Sequence, residues 1–105
     1  MSRYVLVFTG GGMPETEEEQ AAVMAAWGVW YQGLGEAIAD PGNPLGAAKN
    51  ITNGAVSDGA VSSPPASGFT ILNADSMDSA VEMAQGCPIL EGYNGQVTVY
   101  EAMEM

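Results

Sequence analysis

Four side chains are best supplied to meet a small molecule: Trp27, Tyr31, Asn43 and Lys49. The indole of Trp27 offers a broad apolar face. Tyr31, one helical turn later, adds a ring whose hydroxyl can orient a ligand or act as a weak acid. Trp30 belongs to the same aromatic set, although large rings at helical spacing serve a hydrophobic core equally well. Asn43, in a loop held by Pro41 and Pro44, can donate and accept; turn chemistry is its competing use. Lys49 is one of two cations and suits a carboxylate or enolate, unless a neighbouring carboxylate pairs with it. For proton transfer the supply is Glu36, Asp40 and Asp58, the carboxylates outside helix starts that can face a cleft. One of them would serve as a general base if burial raised its basicity.

Composition narrows the chemistry. The 105 residues contain no histidine and one cysteine, Cys87. Ser–His–Asp and Cys–His catalysis need an imidazole and are excluded; the usual zinc ligand sets are missing, so no metal and no cofactor is expected. Cys87 sits between Gly86 and Pro88 in an acidic region, which suits a small packed hydrophobe better than a reactive thiolate. Thirteen acidic residues against Arg3 and Lys49 give a net charge of -11. That balance opposes binding to nucleic acid or anionic membranes, disfavours anionic substrates, and serves solubility. The apolar run Tyr4–Phe8 is too short for a signal peptide, and no stretch is long enough to span a bilayer. The expected setting is the cytoplasm.

The elements that must position these residues follow from periodicity. Thr16-Glu17-Glu18-Glu19 reads as a capping box, with the threonine hydroxyl capping free amides and Glu19 reaching back. Behind it Val23, Trp27, Trp30, Leu34 and Ile38 recur at helical spacing, predicting a helix over Thr16–Ala39 that ends near Asp40-Pro41-Gly42. Gly28, Gly33 and Gly35 each cost a helix roughly 1 kcal/mol relative to alanine, which suggests a close approach by backbone or ligand. Arg3–Thr9 is a strand apolar on both faces, followed by Gly10-Gly11-Gly12 as a flexible connector; no phosphate-binding signature is present. Ala47–Thr52 is a second strand, and Ala55-Val56-Ser57, between the turn signals Asn53-Gly54 and Asp58-Gly59, suits a short extra one. Ser62-Ser63-Pro64-Pro65 is loop, and Gly68–Ala74 a third strand. Asp75 or Ser76 caps a second helix with Met77, Ala80, Val81, Met83 and Ala84 inward, stopped by Gly86 and Pro88. After a turn at Gly92-Tyr93-Asn94-Gly95, Gln96–Ala102 alternates as a fourth strand, and Met103-Glu104-Met105 is a tail.

The order is βαββαβ in one domain, residues 1–105: a ferredoxin-like α+β fold whose antiparallel sheet carries both helices on one face. Two helices cannot cover both faces of the first strand. A homodimer with sheets face to face would cover the second, burying on the order of 800 Å² per partner.

The chain resembles the YCII-related (DGPF-type) domain family. The likeness runs through Tyr4-Val5-Leu6-Val7-Phe8 and the glycines after it, Ala26-Trp27-Gly28-Val29-Trp30, and Gly42-Asn43-Pro44-Leu45. It continues through Gly68-Phe69-Thr70-Ile71-Leu72, Ala80-Val81-Glu82-Met83-Ala84 and Gly86-Cys87-Pro88. The resemblance implies a dimeric α+β barrel with a pocket between sheet and helices. Some members of that family are thought to act through a histidine–aspartate pair, one branch in dehydrochlorination of a chlorinated hydroxyquinol. That pair has no counterpart here, and the DGPF signature reads Asp58-Gly59-Ala60-Val61. Two functions therefore follow: a small-molecule binding module with an aromatic pocket, or a cofactor-independent lyase or isomerase using a carboxylate base.

Overall fold

A computed structural model describes residues 2–10, 15–59, 65–91 and 95–103. Several expected features lie outside these: most of the glycine connector (Gly11, Gly12), the loop Ser62-Ser63-Pro64, the turn Gly92-Tyr93-Asn94, Ala60-Val61 and the terminal Glu104-Met105. In chain order the elements are β1 (Ser2–Thr9), α1 (Glu17–Leu34), β2 (Ile38–Asp40), β3 (Lys49–Thr52), β4 (Ala55–Asp58), β5 (Ala66–Ala74), α2 (Met77–Ala84) and β6 (Gln96–Ala102). Short 3-10 turns occupy Gly35–Ala37 and Pro88–Glu91. The class is α+β, as expected, with two helices and antiparallel sheets.

β1 pairs antiparallel with β5 on one side and β6 on the other, and β2 closes the far edge of β5. The resulting strand order is β2-β5-β1-β6. Strand alternation separates two faces. Tyr4, Leu6 and Phe8 of β1, with Thr70 and Leu72 of β5, are buried. Trp30 from α1, Ala84 from α2 and Cys87 join Leu6, Phe8 and Leu72 in the main core, with Val97 and Val99 of β6 packed against it. The opposite face presents Val5, Val7, Phe69 and Ile71, all half-buried, and Tyr100, 56% exposed. The molecule is 18 Å through its thinnest axis, enough for one sheet and one helical layer.

Two expectations about the elements need correction. The first helix ends at Leu34, five residues early, because Gly35 adopts φ 51° and sends its N–H to the Tyr31 carbonyl. Ile38 then belongs to β2, opposite Leu72, and reaches the core from a strand. Its helical spacing from Leu34 is coincidental. The second expected strand, Ala47–Thr52, begins at Lys49, stands outside the main sheet and forms a separate hairpin with β4. Its turn residues Asn53 and Gly54 both have positive φ, the geometry that an Asn-Gly hairpin turn requires.

The caps follow the sequence closely. Thr16 Oγ1 accepts from the Glu19 amide at 3.2 Å, with Glu17, Glu18 and Glu19 at the positive end of the helix dipole. The return bond expected from the Glu19 carboxylate is not made among the described residues. Ser76 caps α2 by accepting from the Ser79 amide at 3.1 Å. On α2, Ala80 and Ala84 point inward, whereas Met77 and Val81, expected inside, are 40% and 37% exposed. A Cβ added at Gly28 or Gly33 meets nothing within 4 Å, so none of the described residues makes the close approach those glycines suggested.

Candidate functional site

The aromatic set expected on α1 assembles around one ring of β1. Phe8 packs edge-on against Trp27, with ring centroids 5.3 Å apart, and against Trp30 at 6.4 Å. Trp27 and Trp30 meet at 5.6 Å, and Tyr31 lies 5.9 Å from Trp27 and 5.1 Å from Trp30. The three α1 rings differ in exposure. Trp30 is buried, and its indole N–H donates to the Met83 carbonyl at 3.0 Å, which anchors α1 to α2. Trp27 and Tyr31 are half-buried. Gly86 lets α2 end against Trp30: a Cβ there would come within 3.3 Å of the indole.

Tyr31 has a defined hydrogen-bond role. Its hydroxyl lies 3.3 Å from the Pro41 carbonyl and 3.2 Å from Thr70 Oγ1, and Thr70 in turn donates to Pro41 at 2.9 Å. Thr70 is fully buried in β5. Among these three oxygens only two carry protons, and either assignment leaves the Tyr31 proton inside the triangle. Tyr31 therefore fixes the loop after β2 to the helix, and towards a ligand it has lone pairs to offer. The same loop is held to β5 by the Leu45 amide, which donates to Ser67 at 2.9 Å, and by a bridge between Pro44 and Gly68. Gly42, at φ 74°, allows the close approach, since a side chain there would run into the Phe69 carbonyl. Asn43 is carried on this loop with its side chain exposed; its backbone carbonyl and the Phe8 ring both lie 3.4 Å from a Cβ built on Gly68. Trp27, Tyr31 and Asn43 thus belong to one neighbourhood.

Lys49 does not join them. It stands on the hairpin, where its ammonium lies 2.6 Å from Asp58 Oδ1, both side chains being largely exposed. The carboxylates also separate. Asp40 caps its own turn by accepting from the Gly42 amide at 2.8 Å, and Asp58 is taken by Lys49. Glu36 lines a cleft of about 490 Å³ shared with Asn73, Asp75, Ser79 and Met83. Glu36 reaches it because α1 stops early and the 3-10 turn places this residue beside the end of β5. Met83 belongs to both regions: it lines the cleft, and its carbonyl accepts from the Trp30 indole. Sequence reasoning missed Phe8, Thr70 and Met83 as parts of this arrangement. The only signal for Thr70 was a polar residue among the alternating inward positions of its strand.

Cys87 is fully packed, and burial pushes its thiol up to about 11, with a backbone hydrogen bond at Ile89 partly opposing the rise. The folded chain therefore holds this proton after the unfolded chain has released it near 9. The stability this contributes is complete below pH 9 and is lost as pH rises from about 9 to about 11. Urea melts at pH 8 and at pH 11 are expected to differ by about 2 kcal/mol more for the native sequence than for Cys87→Ala. No group of metal-ligating side chains occurs among the described residues, and no described helix is long and apolar enough to cross a membrane. No family model and no curated protein matches this chain.

Proposed function

We propose that the protein is a homodimeric small-molecule binding module, of the YCII-related type, whose ligand lies against Trp27 beside the loop carrying Asn43. The observation that carries this reading is the unequal burial of the aromatic cluster: Trp30 is buried and hydrogen-bonded, whereas Trp27 is only half-buried. An aromatic surface built on a helix and braced by other rings suits a flat apolar ligand. Tyr31 and Asn43 supply the nearby polar atoms, and the net charge of -11 opposes a multiply negative compound.

The same proposal gives the fold a ferredoxin-like order, with β2, β3–β4 and β5 corresponding to an edge strand, an inserted hairpin and a central strand. The strand order β2-β5-β1-β6 and its antiparallel pairings support that assignment. The dimer is supported by the open sheet face. Arg3, Val5, Val7, Phe69, Ile71 and Tyr100 lie on it, and β1, β5 and β6 place no carboxylate there, in a chain with thirteen. Asp40 at the margin, opposite Ile71, turns its carboxylate to Gly42. An acidic chain can meet a copy of itself only where its own charges are excluded. A cytoplasmic setting fits the single, buried, unpaired cysteine.

Benzoate and benzyl alcohol are suitable probes. Either is expected to quench tryptophan fluorescence, with the response lost in Trp27→Phe and retained in Lys49→Met, because Lys49 is engaged by Asp58. Binding that survives Trp27→Phe unchanged would place the site elsewhere. The second reading, a cofactor-independent lyase or isomerase, draws on Glu36, which lines the cleft described above. It places the ligand in that cleft.

A further inference from the structure

We propose that the β3–β4 hairpin is a clasp that packs against the same hairpin of a second copy of this chain. Three observations lead there. The hairpin stands outside the main sheet, and every strand position except Asn50 is exposed, including Ile51 at 70% and Val56 at 61%. A two-stranded hairpin is at best marginal in water without a covering surface. Its pairing then sets Lys49 opposite Asp58 and Ile51 opposite Val56, and alternation brings these four side chains to one face. That face carries an ion pair, 68% and 90% exposed, beside an uncovered apolar pair.

Charge complementarity identifies the occupant. A twofold axis running along the hairpin, between its strands, lays this face on its own copy with Lys49 over Asp58 of the second chain and Ile51 over Val56. Both ends of the ion pair gain an opposite charge, and the apolar pair is covered. An axis across the strands would instead lay each charge over an apolar side chain. Elsewhere the chain is strongly acidic, so the neutral hairpin is a surface on which two copies attract. Four side chains are far fewer than an interface of about 800 Å² per partner requires, so the clasp forms between chains already joined through the open sheet face. The inference rests on that dimer.

Charge variants of the full chain test it by sedimentation. Lys49→Asp gives a doubly acidic hairpin and Asp58→Lys a doubly basic one; each alone is expected to weaken the dimer about tenfold. Asp58→Lys is the sharper case, because it lowers the net negative charge and general repulsion alone would strengthen association. A 1:1 mixture of the two variants should regain the native affinity, as should the double exchange K49D/D58K. Separately, mixed Ile51→Cys and Val56→Cys chains should form a disulfide-linked dimer under mild oxidation, Cys87 being buried. A dimer whose affinity ignores these charges, or a mixture no tighter than its components, overturns the clasp and leaves the sheet pairing standing. A native chain that sediments as a monomer throughout overturns both.

Discussion

Trp30→Ala is expected to lower the unfolding free energy by about 3–5 kcal/mol, the usual loss for a large buried aromatic side chain. Three consequences combine at this position. The cavity opens in the main core between Phe8, Leu72 and Ala84, where both helices meet the sheet. The Met83 carbonyl loses its indole donor. The ring contacts with Phe8, Trp27 and Tyr31 disappear. Trp27→Ala is expected to cost distinctly less, because Trp27 is half-buried and part of its surface is already in water. Urea melts of the two variants give the comparison. Equal large losses would make Trp27 a core residue and remove the reason for placing a ligand against it.

Ile71→Glu is expected to convert the proposed dimer to a monomer at micromolar concentration. Ile71 lies at the centre of the open face, opposite Val5 on β1 and next to the edge strand β2. A glutamate there would set a carboxylate against its symmetry mate in a desolvated contact, which costs several kcal/mol and raises the dissociation constant more than a hundredfold. Within one chain the position is only half-buried, so the fold itself should survive. Val29→Glu is the control: Val29 is 69% exposed on α1, in the other layer, and its replacement should leave the mass unchanged. Light scattering reads the result against a chain mass of 10.8 kDa. A dimer that persists in Ile71→Glu would mean that the sheet face is not the interface.

Local signals placed most elements. The Thr16 cap, the double-faced apolar pattern of β1, the alternation of β5 and β6 and the Ser76 cap each involve contiguous residues, and each survives in the structure. What was not legible depended on tertiary partners. β2 has three residues, too few for alternation to register, and Ile38 continues a helical spacing although the backbone has already turned at Gly35. The hairpin's departure from the main sheet cannot be read from its sequence, because the Asn53-Gly54 turn fixes the pairing of β3 with β4 and says nothing of what lies beyond.

The candidate site divides the same way. Trp27 and Tyr31 were legible because one helical turn separates them, and any helix brings them together. The roles of Thr70 and the Pro41 carbonyl in holding Tyr31 arise from residues far apart in sequence, as does the cleft at Glu36. Lys49 and Asp58 are cross-strand neighbours on the hairpin, a pairing that follows from the register.

The binding proposal is tested most directly by the two indole N–H signals in a ¹H–¹⁵N spectrum of the native chain, which has two tryptophans. Titration with benzoate is expected to move the Trp27 indole signal together with the amides around Asn43. The Trp30 signal, locked to the Met83 carbonyl, should stay in place. Shifts confined to Asn73 and Ser79, with both indoles unmoved, would contradict the aromatic site and put the ligand in the cleft beside Glu36.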